Sequence, residues 1–222
     1  NSKRHRLFCV YQGGSNIFRK ADSLIDILQF CSFHKVNVLE VTRMHMSDLL
    51  RTHGKNNLRF PKELKVISAG SCVPSELRKT MIKDVSNEFY VRYGATECGS
   101  VALASLEHHS IEGLVGRVID GVEVEIVGLD NKVVSVGCIG EVRIRAEGMA
   151  DSYYANSVKT AINFREGWFY PGDSGSFNED DLLIIHGRQD DMMIMNGLNI
   201  FPSEIESVLE QHLLVRRAAA VA

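Results

Sequence analysis

The spacing of apolar residues changes near residue 114, and this change limits the folds that the chain can adopt. Before it, apolar runs alternate with segments in which apolar residues recur at helical spacing. Strands separated by helices and short connections are typical of a parallel sheet covered by helices. The predicted strands are 7–11, 36–41, 64–68 and 89–93, and the predicted helices are 22–33, 44–50 and 75–85.

Beyond residue 114, apolar and polar residues alternate in short segments, which is typical of antiparallel strands. The sequence Gly128-Leu129-Asp130-Asn131 predicts a hairpin turn between two of them. We therefore expect a small antiparallel sheet here, curled or β-barrel-like. Its predicted strand segments are 115–127, with a break at Gly121, and 132–136, 141–146, 175–177 and 182–186, with one helix at 158–164.

After Gly187 the pattern changes again, to a short strand or hairpin arm at 192–195, a helix at 202–212 and a strand at 215–221. A lone helix and strand cannot bury their own apolar faces, so this end is expected to begin an α+β C-terminal domain. The predicted fold class is α/β. The predicted domains are 1–114, an α/β subdomain; 115–186, a small β subdomain; and 187–222, a hinge and the start of a C-terminal domain.

Residues 98–113 show no hydrophobic period and are predicted to form a long loop. Long loops are often functional, so this one either borders a ligand pocket or is a flexible surface segment.

Composition and charge exclude several functions. The net charge of −3 gives no electrostatic basis for binding nucleic acid. No apolar run approaches the ~20 residues of a membrane span. The five cysteines are scattered without metal-ligand spacing, which favours reduced thiols and a cytoplasmic location. Because the chain begins with Asn1 rather than Met, we expect it to be a piece of a longer protein.

The segment Tyr93-Gly94-Ala95-Thr96-Glu97 follows a predicted strand, at the position where α/β sheets bind ligands. Tyr93 can stack on a planar base, and Gly94 permits a close backbone approach. Thr96 can donate to a phosphate oxygen, and Glu97 is an oxygen ligand suited to Mg²⁺. The same five residues also fit an ordinary turn with a surface glutamate.

Three other positions carry side chains that suit a nucleoside. The small residues Gly70-Ser71-Cys72 can let the backbone contact a ring, although they also fit a plain strand–helix connection. Asp173 can accept from two ribose hydroxyls or cap a turn. Arg188 can hold ribose or phosphate oxygens, or form a surface ion pair with Asp190.

Four segments in this order resemble motifs of the adenylate-forming superfamily, which includes the acyl-CoA synthetases and the adenylation domains. Tyr93 to Glu97 resembles its YGxTE core motif, and Gly140 to Ile144 and Gly167 to Asp173 resemble two later motifs. The run from Gly187 through Asp191 to Glu206 is similar to a fourth motif, and its end is more similar to acyl-CoA ligases than to peptide-synthetase domains.

This resemblance implies an ATP-dependent, AMP-forming acid–thiol ligase. A small-molecule carboxylate attacks the α-phosphate of ATP to give an acyl-adenylate, and the thiol of coenzyme A or of a carrier protein then displaces AMP. The resemblance implies adenine contacts for Gly70, Ser71, Cys72, Tyr93 and Gly94. It implies ribose or phosphate contacts for Asp173 and Arg188, and catalytic contacts with phosphate and Mg²⁺ for Thr96 and Glu97. It also implies a domain hinge at Asp190.

Two parts of that family's machinery have no counterpart in the sequence: a Ser/Thr/Gly-rich phosphate loop ending in lysine, and the catalytic lysine of the C-terminal domain. Because both supply positive charge to the transferring phosphate, this chain alone is expected to have little or no ligase activity. Tyr170-Pro171 also replaces the Arg-Thr that many members have beside the ribose site. The alternatives are a truncated, non-catalytic nucleotide-binding or interaction module, and an adenylation domain that loads a carrier protein.

Overall fold

A computed structural model describes residues 7, 9–18, 24–56, 60, 63–70, 72–105, 110–195, 198–210, 212, 214–215 and 218–221. Besides residues 9–11, which are helical, the helices are α1 (Leu24–Phe33), α2 (Arg43–Asn56), α3 (Ser75–Asp84), α4 (Ser157–Asn163) and α5 (Pro202–Glu210). The strands are β1 (Val38–Val41), β2 (Lys65–Ala69), β3 (Glu88–Ala95), β4 (Gly99–Ala104), β5 (Leu114–Val118), β6 (Val122–Val127), β7 (Gly140–Ala146), β8 (Phe164–Arg165), β9 (Trp168–Phe169), β10 (Asp173–Phe177), β11 (Leu183–Arg188), β12 (Met193–Met195) and β13 (Leu198–Ile200).

Across these described residues, eleven strands form one mixed sheet, and β12 and β13 form a separate hairpin. The strand order in the large sheet is β1-β2-β3-β4-β5-β11-β10-β7-β9-β8, with β6 paired to β7. The predicted α/β class is confirmed.

The first three strands are parallel and pack against α2 and α3. One buried apolar cluster joins the two layers and includes Met46 and Leu49 of α2, Met81 of α3, Val66 of β2 and Phe89 of β3. These residues belong to the apolar runs and helical periods from which the strands and helices are predicted. The carboxyl ends of β2 and β3 consequently lie side by side, which places the segments after them at one edge of the sheet.

The direction of pairing changes at β3, which is parallel to β2 and antiparallel to β4. The loop predicted over residues 98–113 is wrong for Gly99–Ala104, which form β4. Val101 and Ala102 are completely buried in this strand. A strand with adjacent buried residues gives no alternating signal, and its six residues are too few to establish another period.

The remaining strands of the sheet are antiparallel and continue it through the β4–β5 and β5–β11 pairs. A second buried cluster, including Val142, Ile144, Phe169 and Leu183, forms their core. The turn predicted after β6 is present, since the Gly128 amide donates to the Lys132 carbonyl at 2.9 Å. The strand predicted at 132–136 is wrong, because only a single bridge, Val127 to Val133, follows the turn. The domain boundaries at 114 and 186 remain predictions.

Two predicted terminal strands are also wrong. Residues 9–11 are helical, and residues 215 and 218–221 form neither helix nor strand. Short apolar runs are compatible with either element, so only tertiary contacts decide. At the end of the chain the amides of Ala218 and Ala220 donate to the carboxylates of Glu210 and Glu206 on α5, each at 3.2 Å, rather than to a neighbouring strand. Among the described helices, none has the length and apolar character needed to span a bilayer.

Candidate functional site

Two clefts meet where the parallel and antiparallel parts of the sheet join. The first, of about 370 Å³, lies beside the ends of β2 and β3, and the second, of about 910 Å³, lies between the β3–β4 turn, α4 and the start of β10. Gly94, Asp173 and Arg188 line both. Of the other predicted site residues, the first cleft is lined by Gly70, Cys72 and Tyr93, and the second by Glu97 and Asp190.

The clefts are joined by a chain of polar contacts through Asp173. The Tyr93 hydroxyl donates to Oδ2 of Asp173 at 2.6 Å, and Nη1 of Arg188 lies 3.3 Å from Oδ1. Asp173 and Arg188 are direct cross-strand partners at the ends of β10 and β11, so the sheet register fixes their proximity. Arg188 also donates to the Pro171 carbonyl. Because a carboxylate accepts several hydrogen bonds, Asp173 keeps lone pairs for further donors in the cleft.

The environment of Tyr93 keeps its hydroxyl protonated. Burial, followed by the charge of the Asp173 carboxylate and their hydrogen bond, raises the pKa of the Tyr93 phenol well above its ordinary value of 10.0. The phenol therefore remains a donor at physiological pH. This hydrogen bond restrains the ring of Tyr93, and Tyr93 lines the first cleft.

The segment after β2 also lines the first cleft. Gly70 has φ +94°, a backbone conformation that favours glycine, and Cys72 follows it in the cleft wall. Ser71 lies outside the described residues. Leu114 and Ile185 add apolar surface. A cleft with small residues on one side and a tyrosine on another has the composition that a planar ring requires.

Gly94 is needed for a reason that the sequence does not show. The β3–β4 register shifts between Tyr93 and Gly94, and a Cβ at Gly94 would overlap the carbonyl oxygen of Gly99 on β4. The close approach is therefore to the neighbouring strand of the protein itself. Gly94 still lines both clefts.

The β3–β4 turn places Thr96 and Glu97 differently. Thr96 is exposed in the turn, and it is the one described residue of the predicted set that lines neither cleft. Glu97 is half-buried at the wall of the second cleft, where its Oε1 accepts a hydrogen bond from the Tyr153 hydroxyl at 2.8 Å. Burial, followed by the hydrogen bond to Glu97, raises the pKa of Tyr153 to about 12.

Asp190 follows β11 and is highly exposed, with 86% of its side chain accessible. Its Oδ2 lies 3.7 Å from Nη2 of Arg188. Exposed ion pairs of this length contribute little to stability. The surface ion pair that the sequence allows is thus present, at the junction between β11 and the β12–β13 hairpin.

Several cleft residues were not predicted from the sequence. The helix α5 supplies Pro202, Ser203 and Glu206 to the first cleft, and the Ser203 hydroxyl donates to the His186 carbonyl at 3.0 Å. Arg78 of α3 also lines it, almost fully buried, with Nε donating to the Val73 carbonyl at 2.8 Å. His186 of β11 also lines this cleft, and the apolar run before it predicts a strand without indicating a site residue.

Tyr170 replaces the arginine that the resemblance leads one to expect, and the structure shows what it does. Tyr170 is buried, and its hydroxyl donates to Oδ1 of Asn131 at 3.1 Å. The Arg165 guanidinium lies 3.5 Å from the centre of its ring. Asn163 and Tyr170 also exchange main-chain and side-chain hydrogen bonds of 2.7 Å. Tyr170 therefore anchors α4 to the segment that leads into Asp173.

Comparisons with known proteins agree with this fold. Residues 5–154 match the model of the AMP-binding enzyme family. A long-chain-fatty-acid–CoA ligase from Salmonella typhimurium is 31% identical over 160 residues, which cover 70% of this chain and 28% of that protein. The fatty acid–[acyl-carrier-protein] ligase ScoC from Streptomyces coeruleorubidus is 30% identical over 162 residues, which cover 71% of this chain and 31% of that protein.

A solved structure is also similar over nearly the whole chain. The O-succinylbenzoate coenzyme A synthetase from Bacillus subtilis, in complex with AMP, has a TM-score of 0.87 and 25% identity, covering 99% of this chain and 45% of that one. Its complex with ATP and magnesium ion has the same TM-score and identity, covering 99% and 46%.

The fold is that of the adenylate-forming enzymes, as the resemblance of the four motifs predicts. This chain belongs to the AMP-binding enzyme family. It spans less than a third of the length of the two curated relatives described above.

Proposed function

We propose that the first cleft binds the adenosine of ATP or AMP and that the second receives its phosphates. The chain is then part of an AMP-forming acid–thiol ligase, which converts a small-molecule carboxylate into an acyl-adenylate and passes the acyl group to coenzyme A or to a carrier-protein thiol. The observation that carries this proposal is the contact of Tyr93 and Arg188 with Asp173 at the junction of the clefts. The names of the relatives, a fatty acid–CoA ligase and a fatty acid–carrier-protein ligase, support the carboxylate and both thiol acceptors.

Each contact follows from the chemistry of the walls. The adenine ring would lie between Tyr93 and the segment Gly70-Ser71-Cys72, where aromatic stacking contributes about 1–3 kcal/mol per base. Asp173 would accept the ribose hydroxyls with its remaining lone pairs. Arg188 would donate to ribose or phosphate oxygens from the same edge of the sheet.

The second cleft suits Mg²⁺ bound together with a nucleotide. In the described ranges, no three His, Cys, Asp or Glu residues are grouped so that they could hold a metal ion by themselves. Mg²⁺ commonly takes only one or two protein carboxylates and fills its shell with phosphate oxygens and water. Glu97 would be that carboxylate, and when bound the ion would neutralise charge on the phosphates. Thr96 lies directly before Glu97 in the same turn, and its hydroxyl would donate to a phosphate oxygen after a change in the conformation of the turn.

Asp190 would be a hinge. Its exposed side chain and its place between β11 and the β12–β13 hairpin support a position that can change backbone angles without disrupting a core. None of the five cysteines is in a disulfide in the structure, which supports a reducing compartment such as the cytoplasm.

Calorimetric titration with AMP tests the adenosine site. We expect Asp173→Ala to weaken AMP binding by about 10- to 100-fold, because a hydrogen bond to a charged group contributes about 1.5–3 kcal/mol. Tyr93→Ala should weaken it by about 5- to 100-fold through the loss of stacking. Asp180→Ala is the matched control, since Asp180 is exposed in the turn at the far end of β10. Equal AMP affinity in the parent chain and Asp173→Ala would refute the proposed site.

A further inference from the structure

Glu97 is held at two points by one short segment, residues 150–153. The Ala150 amide donates to the Glu97 carbonyl at 2.8 Å, and the Tyr153 hydroxyl donates to Oε1 of the Glu97 side chain, also at 2.8 Å. The first contact fixes the backbone of the β3–β4 turn, and the second fixes the direction of the carboxylate. A glutamate side chain otherwise loses substantial rotamer freedom when it binds a ligand.

Tyr153 is itself firmly anchored. Its amide donates to Oγ1 of Thr160 in α4 at 2.9 Å, and that hydroxyl donates at 2.8 Å to the carbonyl of Asn156, the N-cap residue of α4. Its ring packs edge-on against Phe164, with centroids 5.2 Å apart, and Phe164 packs against the buried Phe169. The phenol therefore approaches Glu97 from a rigid support.

The neighbouring tyrosine has none of these contacts. Tyr154 is fully exposed, at 101% of its reference accessibility. The hydrogen bond to Glu97 is thus specific to Tyr153. Two adjacent tyrosines, one anchored and one in solvent, also provide a matched pair for an experiment.

The chemistry of the phenol suits a metal-binding carboxylate. A neutral donor orients one oxygen while leaving the negative charge of Glu97 in place, whereas an arginine or lysine would neutralise that charge. Among the described residues, the second carboxylate oxygen, Oε2, accepts no hydrogen bond. It remains available to a cation in the second cleft.

We propose that Tyr153 is a positioning residue, which holds the Glu97 carboxylate so that Oε2 is directed at the Mg²⁺ of a bound nucleotide. This inference rests on the proposed function, because it requires Glu97 to bind the ion. Tyr153 would act through Glu97, to whose Oε1 its hydroxyl donates. Outer contacts of this kind affect metal affinity because they fix the orientation of the ligand.

The test is calorimetric titration of the chain with ATP, in the presence and absence of Mg²⁺. The measured quantity is the Mg²⁺ gain, defined as the ratio of the two ATP affinities. We expect Tyr153→Phe to reduce the gain by about three- to tenfold, as for the loss of one hydrogen bond, and to leave the metal-free affinity unchanged. Tyr154→Phe should keep the full gain, and Glu97→Gln should abolish it.

The outcomes separate this inference from the proposed function. If Mg²⁺ produces no gain in the parent chain, or if Glu97→Gln keeps it, the metal role of Glu97 is wrong. If Glu97→Gln loses the gain while Tyr153→Phe keeps it, only the role of Tyr153 is wrong. An equal loss of metal-free and Mg²⁺-bound affinity in Tyr153→Phe also overturns that role, because it indicates a general disturbance of the cleft.

A second variant covers the case in which Tyr153→Phe does not fold. Thr160→Val leaves the phenol in place and removes the acceptor that holds the Tyr153 amide. We expect a smaller loss of the Mg²⁺ gain, again with unchanged metal-free affinity. A full gain in a folded Thr160→Val chain would contradict the proposal.

Discussion

The hydrogen bond from Tyr93 to Asp173 should couple the two residues energetically, and removing its hydroxyl is the most direct perturbation of the site. The bond is 2.6 Å long and joins a mostly buried phenol to a carboxylate with 14% of its side chain exposed. Hydrogen bonds to charged groups contribute about 1.5–3 kcal/mol. Because Arg188 still compensates Asp173 after the change, we expect Tyr93→Phe to lower the free energy of unfolding by about 1–2 kcal/mol.

Urea unfolding can measure this coupling, with the fluorescence of the chain's one tryptophan, Trp168, as the signal. A double-mutant cycle with Tyr93→Phe and Asp173→Asn should give an interaction energy of about 1 kcal/mol or more. Tyr90→Phe is the control, because the Tyr90 hydroxyl also donates to a carboxylate of its own strand, Glu88, at 2.6 Å. Its phenol is more exposed, so solvent should screen the bond and Tyr90→Phe should have a smaller effect.

The pH dependence gives the same bond a second signature. The pKa of Tyr93 is raised in the folded protein, so its contribution to stability is complete below the ordinary value of 10.0 and is lost as the pH rises towards the folded pKa. The difference in unfolding free energy between the parent chain and Tyr93→Phe should therefore shrink above about pH 10. Additive effects in the cycle, within about 0.5 kcal/mol, would refute the coupling.

Three further outcomes test the fold around the site. Gly94→Ala should destabilise the protein by about 1–3 kcal/mol in urea unfolding, because the new methyl group overlaps the Gly99 carbonyl; an unchanged midpoint would contradict the bulge. Leu183→Ala should lower the free energy of unfolding by about 2–5 kcal/mol, since its side chain is completely buried in the second cluster, and a loss below that range would show that the core collapses around the gap. Burial lowers the pKa of His186 below 6.5, so stability should fall as the pH drops below about 6.5, and His186→Gln should flatten that part of the unfolding profile relative to the parent chain.

The sequence could predict the elements that end at the clefts. β2 and β3 each carry a short apolar run and α3 has a clear helical period, and their order places the end of β2 beside the end of β3. The carboxylate at Asp173 and the arginine at Arg188 were predicted from side-chain chemistry and from motif resemblance. Their direct contact follows from the β10–β11 register, which changes by one residue at a bulge between Ser174 and Gly175 and so pairs Asp173 with Arg188.

Other features depend on contacts that no local pattern encodes. Nothing in the adjacent pair Tyr153-Tyr154 distinguishes the anchored residue from the exposed one, because the difference arises from Glu97 and Phe164. The reason for glycine at Gly94 likewise lies in the neighbouring strand. The sequence of the short strand β4 shows no alternation of apolar and polar residues, because two of its buried residues are adjacent.

The separation of Tyr93 from Asp173 has a consequence for how the protein folds. Their hydrogen bond joins residues 80 positions apart, so the first cleft is complete only when the parallel and antiparallel portions of the sheet have docked. Closing so long a loop is entropically unfavourable and is typically late. Under the proposed function, recovery of AMP binding after dilution from urea should therefore lag behind the return of helical signal, and AMP would report the final assembly step.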